Sequence, residues 1–278
     1  VRGTLWRWAL AIVITLGTLA WQRTSGPTYP ARGSVKLAGQ TITMKLGRSN
    51  STASDQPVLV KGADPAVSGE VVWRRYPTSE PWKVVELKRE GDSLGAMLPV
   101  QPAAGKLEYQ VRLRRGGEQV VFPERPAITR FRGDPPVAVL IPHILAMFLG
   151  MLFATRAGIE ALRPKGDVRG LAWATLGLFL VGGFVLGPLV QHYAFGQWWT
   201  GVPFGWDLTD NKTLLAVLAW VFALWCLRGG RPARSAALVA SLVTLAVFAI
   251  PHSAWGSQID WQKVSSAAPV ATPEPGGR

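Results

Sequence analysis

The 278-residue chain is 48% hydrophobic, carries a formal net charge of +13 and has a single cysteine. That cysteine, Cys226, excludes an internal disulfide framework, and no CxxCH site for covalent heme is present. The charge would suit nucleic acid in a soluble protein, but part of it clusters in short loops between apolar runs, which points to a membrane protein that binds no nucleic acid.

A membrane-spanning helix needs about 20 apolar residues, with roughly 17 as the lower end. The first run, residues 5–21, has Arg2 before it and Arg7 at its start. The segment at its end, "TLAWQRTSG", offers no clean small-x-small cleavage site. Residues 1–26 are therefore expected to be a retained transmembrane anchor rather than a cleaved signal peptide.

Residues 27–136 read as an all-β insert. Alternating stretches recur: "SVKLAGQTITMKL", "GEVVWRRY", "KVVELKRE", "LGAMLPV", "LEYQVRLRR", "QVVFPE" and "AITRFRG". Turn-forming segments such as "GADPAVSG", "PTSEPW", "EGDS" and "RGGE" separate them. Many short strands at this spacing predict a β-sandwich. The insert holds neither histidine nor cysteine, and no catalytic cluster stands out in it. Its mild basic surplus suits anionic head groups or an acidic partner, or simply a solvated surface.

From Pro135 onward the chain reads as membrane. Residues 137–155, 171–192, 210–228 and 235–252 are the expected spans, giving five with the anchor. The run 213–227 is short unless charged ends snorkel. Arg156, Arg163, Lys165 and Arg169 share one loop, and Arg228, Arg231 and Arg234 another. If the spans alternate, these loops and the N-terminus lie on one side, the cytoplasmic one by the positive-inside rule. The β insert and the Pro/Ala-rich tail, 259–278, then lie outside, the tail disordered.

On this topology all three histidines, His143, His192 and His252, fall at the outer ends of their spans. The outer loop "GQWWTGVPFGWDLTDNKTL" lies at the same level. Neutral imidazoles are common axial ligands of heme iron, and flat aromatic side chains stack on a porphyrin. Trp198, Trp199, Trp206 and Trp255 are therefore a potential cofactor platform, with an interfacial aromatic belt as the plainer alternative. Lys212 is a potential partner for a propionate. Asp210 or Thr209 suits an N-cap of the following helix, and Asp207 suits the orientation of a neighbouring ring. Met147 shares a helical face with His143, where packing is the simpler role. Gly182, Gly183 and Gly187 suit close helix packing, and Pro188 a local break. No G-x-S-x-G, HExxH or phosphate-cradling loop appears, so no catalytic residues are assigned.

Two resemblances follow from these residues. "LPVQPAAGKLEYQVRLRRGGE" resembles the E–F–G region of fibronectin type III or immunoglobulin-like domains, which would make Tyr109 the corner tyrosine of that fold. This implies a fold and no activity. The order "PHILAMFLGMLFA", then W-W-x(6)-W-D-x-x-D-N-K-x-x-L, then "IPHSAWGS" resembles the heme-handling proteins of cytochrome c biogenesis. In that family a tryptophan-rich motif lies between two external histidines that ligate heme. The resemblance covers residues 137–258, a four-helix bundle in this reading. The chain departs from the motif at Leu208, where the family has proline, and in its looser tryptophan spacing. It looks like a reduced version of the family.

The resemblance implies a multi-pass protein of the bacterial inner membrane, holding a non-covalent b-type heme at its periplasmic face. His143 and His252 would be the iron ligands, and His192 an alternative ligand or propionate partner. The role would be heme handling or electron transfer, with a cytochrome or a larger membrane complex as partner. A cofactor-free structural subunit docking through its β domain is the competing reading, and a quinol-binding subunit a third.

Overall fold

The structure, a computed structural model, describes residues 2–228, 234–252, 259 and 261. Helix α1 (Arg2–Ser25) leads into ten strands arranged as two five-stranded sheets. One sheet has the order β1 (Ala31–Leu37), β2 (Gln40–Leu46), β4 (Gln56–Lys61), β8 (Ser93–Leu98), β7 (Lys88–Glu90). The other has β3 (Ser49–Ser51), β10 (Glu118–Arg132), β9 (Lys106–Arg115), β5 (Ser68–Tyr76), β6 (Lys83–Glu86). The β1–β2 hairpin closes at Ala38 and Gly39, with φ of 46° and 79°, the left-handed pair that a two-residue hairpin turn favours.

Period-two patterning drives the assembly. Ile42, Met44 and Leu46 of β2 face the same core as Val58 and Val60 of β4. Leu107, Tyr109, Val111 and Leu113 of β9 meet them from the other sheet. The segments "QVVFPE" and "AITRFRG" belong to one strand, β10, whose register shifts between Phe122 and Ala127 where Pro123 cannot donate to the ladder. The short strand β3 and strand β4 add to those expected from the sequence.

Tyr109 does not make the local bond of a corner tyrosine. Its hydroxyl donates to the carbonyl of Gly47, 62 positions earlier, at 2.6 Å. Gln56, 2% exposed, donates to Tyr109 Oη and to Gly47, and its own oxygen accepts from Thr129. This buried polar group is fully bonded, as a low-dielectric core requires.

The helical part comprises α2 (Val137–Ala161), α3 (Arg169–Phe179), a π-helical turn (Leu180–Leu186), α4 (Gly187–Phe195), α5 (Leu208–Cys226) and α6 (Arg234–Ala249). Among the described residues, three helices are long and apolar enough to cross a membrane: Gly3–Ser25, Val137–Ala161 and Arg169–Phe195. Helix α6 has 16 residues, so it rises about 24 Å. It stops at Ala249, before Pro251, and leaves His252 outside the helix rather than closing it.

The bundle packs closely inside and exposes apolar side chains outside. Phe148, Val185, Leu218, Phe222 and Leu242 are all exposed. Trp220 is fully buried and donates to Thr244 at 2.9 Å. Gly150 and Gly158 admit Phe179 and Ser241, which a Cβ would meet at 2.6 Å and 2.3 Å. Gly182 and Gly183 play the same part against α2 and α5, as their spacing suggested.

Helix α1 joins this bundle. Ala11 is fully buried, Thr15 donates to Thr155 on α2, and Trp8 packs edge-on to Phe153. At that end Arg7, Arg156 and Arg163 surround Glu160. The opposite end carries the β domain. There Gly133 donates to the Ala194 carbonyl at 2.9 Å, and a Cβ on Gly133 would lie 2.2 Å from Tyr193 O.

Candidate functional site

A cavity of about 350 Å³ opens where the β domain meets the helices. Its apolar wall comes from Leu19, Ile144, Met147, Phe148, Met151 and Phe248. Its polar rim comes from Gln22, Arg130, His143, Gln191, Asp207, Asp210 and His252. The volume falls within the range of about 300–1,000 Å³ common for small-molecule sites, which likewise combine an apolar body with a few polar groups.

His143 and His252, from α2 and the turn after α6, thus line one cavity. The Nδ1 of His143 lies 2.8 Å from the Gly182 carbonyl in the π-helical turn. A carbonyl only accepts, so Nδ1 carries the proton and Nε2 of the neutral ring keeps its lone pair. Such a backbone partner fixes ring orientation in many imidazole–metal sites. His252 Nδ1 lies 2.6 Å from Gln22 Nε2. That amide nitrogen donates, which leaves the His252 proton on Nε2; turning the amide over would place oxygen there and free Nε2.

The π-helical turn has a cause. Pro188 lacks an N–H, and its ring crowds the carbonyl four residues earlier, so the helix widens just before it. The widened turn also carries Phe184, on which Trp199 stacks at 5.2 Å.

The loop after α4 has its own internal order. Asp207, not Asp210 or Thr209, is the N-cap of α5: its carboxylate accepts from Thr209 N at 2.8 Å. The cap must stand immediately outside the first helical turn, and Asp207 does, at φ −57° and ψ 125°. Asp210 is 7% exposed and reaches back to the loop, accepting from Thr200 N at 2.6 Å and Thr200 Oγ1 at 3.1 Å. Asn211 accepts from Val202 N, and Gly201 fits where a Cβ would lie 2.7 Å from Asp210 Cβ. Much of the D-x-x-D-N pattern therefore shapes the loop itself.

The expected aromatic platform does not form the cavity wall. Trp198 stacks on His192, ring centres 4.1 Å apart, and is 54% exposed. Trp199 donates to Val202 O. Trp206 is 87% exposed. None of the three is among the residues that line the cavity. His192, on α4, is not among the residues around the cavity; its Nδ1 is buried and makes no hydrogen bond among the described residues. Lys212 is not among the residues around the cavity either: buried at 3%, it donates to the Ile250 carbonyl at 2.7 Å. Trp255 and the tail lie outside the described residues.

Sequence reading missed Gln22 and Arg130. Gln22 sat in a presumed anchor, and Arg130 in a strand with no visible link to the helices. Arg130 is 8% exposed, and its guanidinium lies 4.0 Å from the Phe195 ring centre. Burial lowers its pKa, and the Asp207 carboxylate opposes that shift.

Among the described residues no group of three or more His, Cys, Asp or Glu side chains is placed to hold a metal ion. What the fold and site define is a protein with apolar helices and a β domain, sharing a two-histidine cavity at their junction. No family model, curated relative or solved structure matches the chain.

Proposed function

We propose that the cavity binds a non-covalent b-type heme, whose iron His143 and His252 would hold. The observation that carries this reading is that both imidazoles line one largely apolar cavity, and that His143 offers Nε2 while its Nδ1 is tied to Gly182. The donor set fits heme better than a bare metal ion. Two imidazoles suffice for a porphyrin iron, whereas a structural zinc site takes four ligands. The walls are aliphatic, phenyl and thioether rather than indole. Arg130 takes over the part expected of Lys212, as the cation at the rim for a propionate. When bound, heme supplies a redox-active iron whose potential depends on these ligands and on exposure.

Of the two heme roles, handling is favoured over electron transfer. The cavity opens at an end of the bundle, and the His252 residue is exposed. A site that passes heme on needs such access. In this reading α5 and α6 also span, giving five crossings of a bacterial inner membrane, and the arginine-rich end around Glu160 is cytoplasmic. The sheets form an immunoglobulin-like sandwich in the periplasm. The resemblance to heme-handling proteins of cytochrome c biogenesis makes an apocytochrome, or the membrane complex that matures it, the fitting partner.

Hemin titration of the detergent-purified chain tests this. The expected result is a saturable Soret band that the His143→Ala/His252→Ala double variant lacks. A folded, colourless protein that takes up no hemin would instead favour a structural subunit docking through its β domain.

A further inference from the structure

Trp261 follows the last helix of the bundle, yet it is 7% exposed and seated on the β domain. Its indole N–H donates to the Tyr76 carbonyl at 3.1 Å, and the Arg75 guanidinium lies 4.9 Å from its ring centre. Gly105 completes the seat: a Cβ there would lie 3.3 Å from Trp261 Cη2 and 2.7 Å from the Pro102 carbonyl. The β domain thus holds this ring by a hydrogen bond, a cation contact and close packing at Gly105.

His252 lies nine positions earlier. It belongs to no helix, so helical geometry does not set the place of its imidazole. That place depends on what pins the chain to either side. On the near side, Lys212 holds the Ile250 carbonyl and Gln22 meets the ring itself. On the far side the first described buried anchor is Trp261. We propose that Trp261 is a positioning residue, which docks on the β domain and thereby keeps His252 at the cavity. A separate domain would then control one wall of the site. The consequence for a ligand rests on the heme reading above; the positioning itself does not.

The test uses two readouts. A Cβ placed on Gly26 lies 3.5 Å from Pro251 Cβ, within the span of a disulfide. In a Cys226→Ser background, the Gly26→Cys/Pro251→Cys pair should cross-link readily without ligand, and several-fold more slowly once Trp261→Ala is added. With hemin, Trp261→Ala should convert a six-coordinate ferric spectrum to a five-coordinate one, which free imidazole restores. Trp261→Phe keeps a ring over Arg75 without the N–H and should fall between; it carries the same comparison if Trp261→Ala fails to fold. Unchanged cross-linking in both variants overturns the proposal. Slower cross-linking in a chain that takes up no hemin supports the positioning role and overturns the heme assignment alone.

Discussion

Tyr109 is fully buried, and its hydroxyl donates to Gly47 while accepting from Gln56. Burial raises its pKa above the ordinary tyrosine value, outweighing the Gln56 hydrogen bond and the Arg48 charge. The unfolded chain ionises at about pH 10 and the folded chain at higher pH. The stability this phenol contributes is therefore complete below about pH 10 and is lost as pH rises toward the folded value. Tyr109→Phe should cost about 1 kcal/mol at neutral pH and flatten that alkaline decline. Denaturation of the intact chain followed across pH 8 to 12, as an order-of-magnitude window around the free tyrosine value, checks both parts. At this scale the sequence conveyed residue types better than roles. Asp210 and Thr209 were the expected N-caps of α5, yet Asp207 caps the helix and Asp210 binds Thr200 instead. Which carboxylate caps depends on where the helix starts, and that boundary is set by the loop's return onto Thr200.

The α3–π–α4 column shows what is legible in an element. Its length, its small-residue face and a disturbance at Pro188 all followed from residue types. The contact from the Gly182 carbonyl to His143 did not, because it joins residues 39 positions apart on separate helical segments. Close packing at this column is testable. A Cβ on Gly183 would lie 2.3 Å from Thr213 Cγ2, and Thr213 is held in place by its bond to the Thr209 carbonyl. Gly183→Ala should destabilise the bundle by about 1–3 kcal/mol through overpacking. Gly177→Ala meets nothing within 4 Å and should be neutral or slightly stabilising, since alanine is the better helix former. Thermal unfolding of the two variants in the same detergent makes the comparison. Helix α6 was expected to carry His252 at its end. The stop at Ala249 before Pro251 removes His252 from the helix and makes its place depend on Lys212, Gln22 and, in our proposal, Trp261.

For the whole molecule, apolar runs and alternating segments already separated helices from sheets. Their meeting place was not legible. The cavity draws on α1, β10, α2, the π-helical turn, α4, α5, α6 and the turn after it, with Gln22 and Arg130 more than 100 positions apart. Periodicity reports the face each element buries and not which ends of distant elements coincide. The tryptophan-rich loop misled for a related reason. Indoles and imidazoles at one depth suggested a single pocket, yet Trp198 and Trp206 are exposed and are not among the residues that line the cavity. The central claim therefore reduces to two rings, His143 and His252, serving one iron. Electron paramagnetic resonance of the ferric, hemin-loaded protein tests it most directly. The account predicts a low-spin signal from two imidazole ligands, giving way to high-spin iron in both His143→Ala and His252→Ala. A low-spin signal that survives in either single variant, or that His192→Ala abolishes instead, would contradict it.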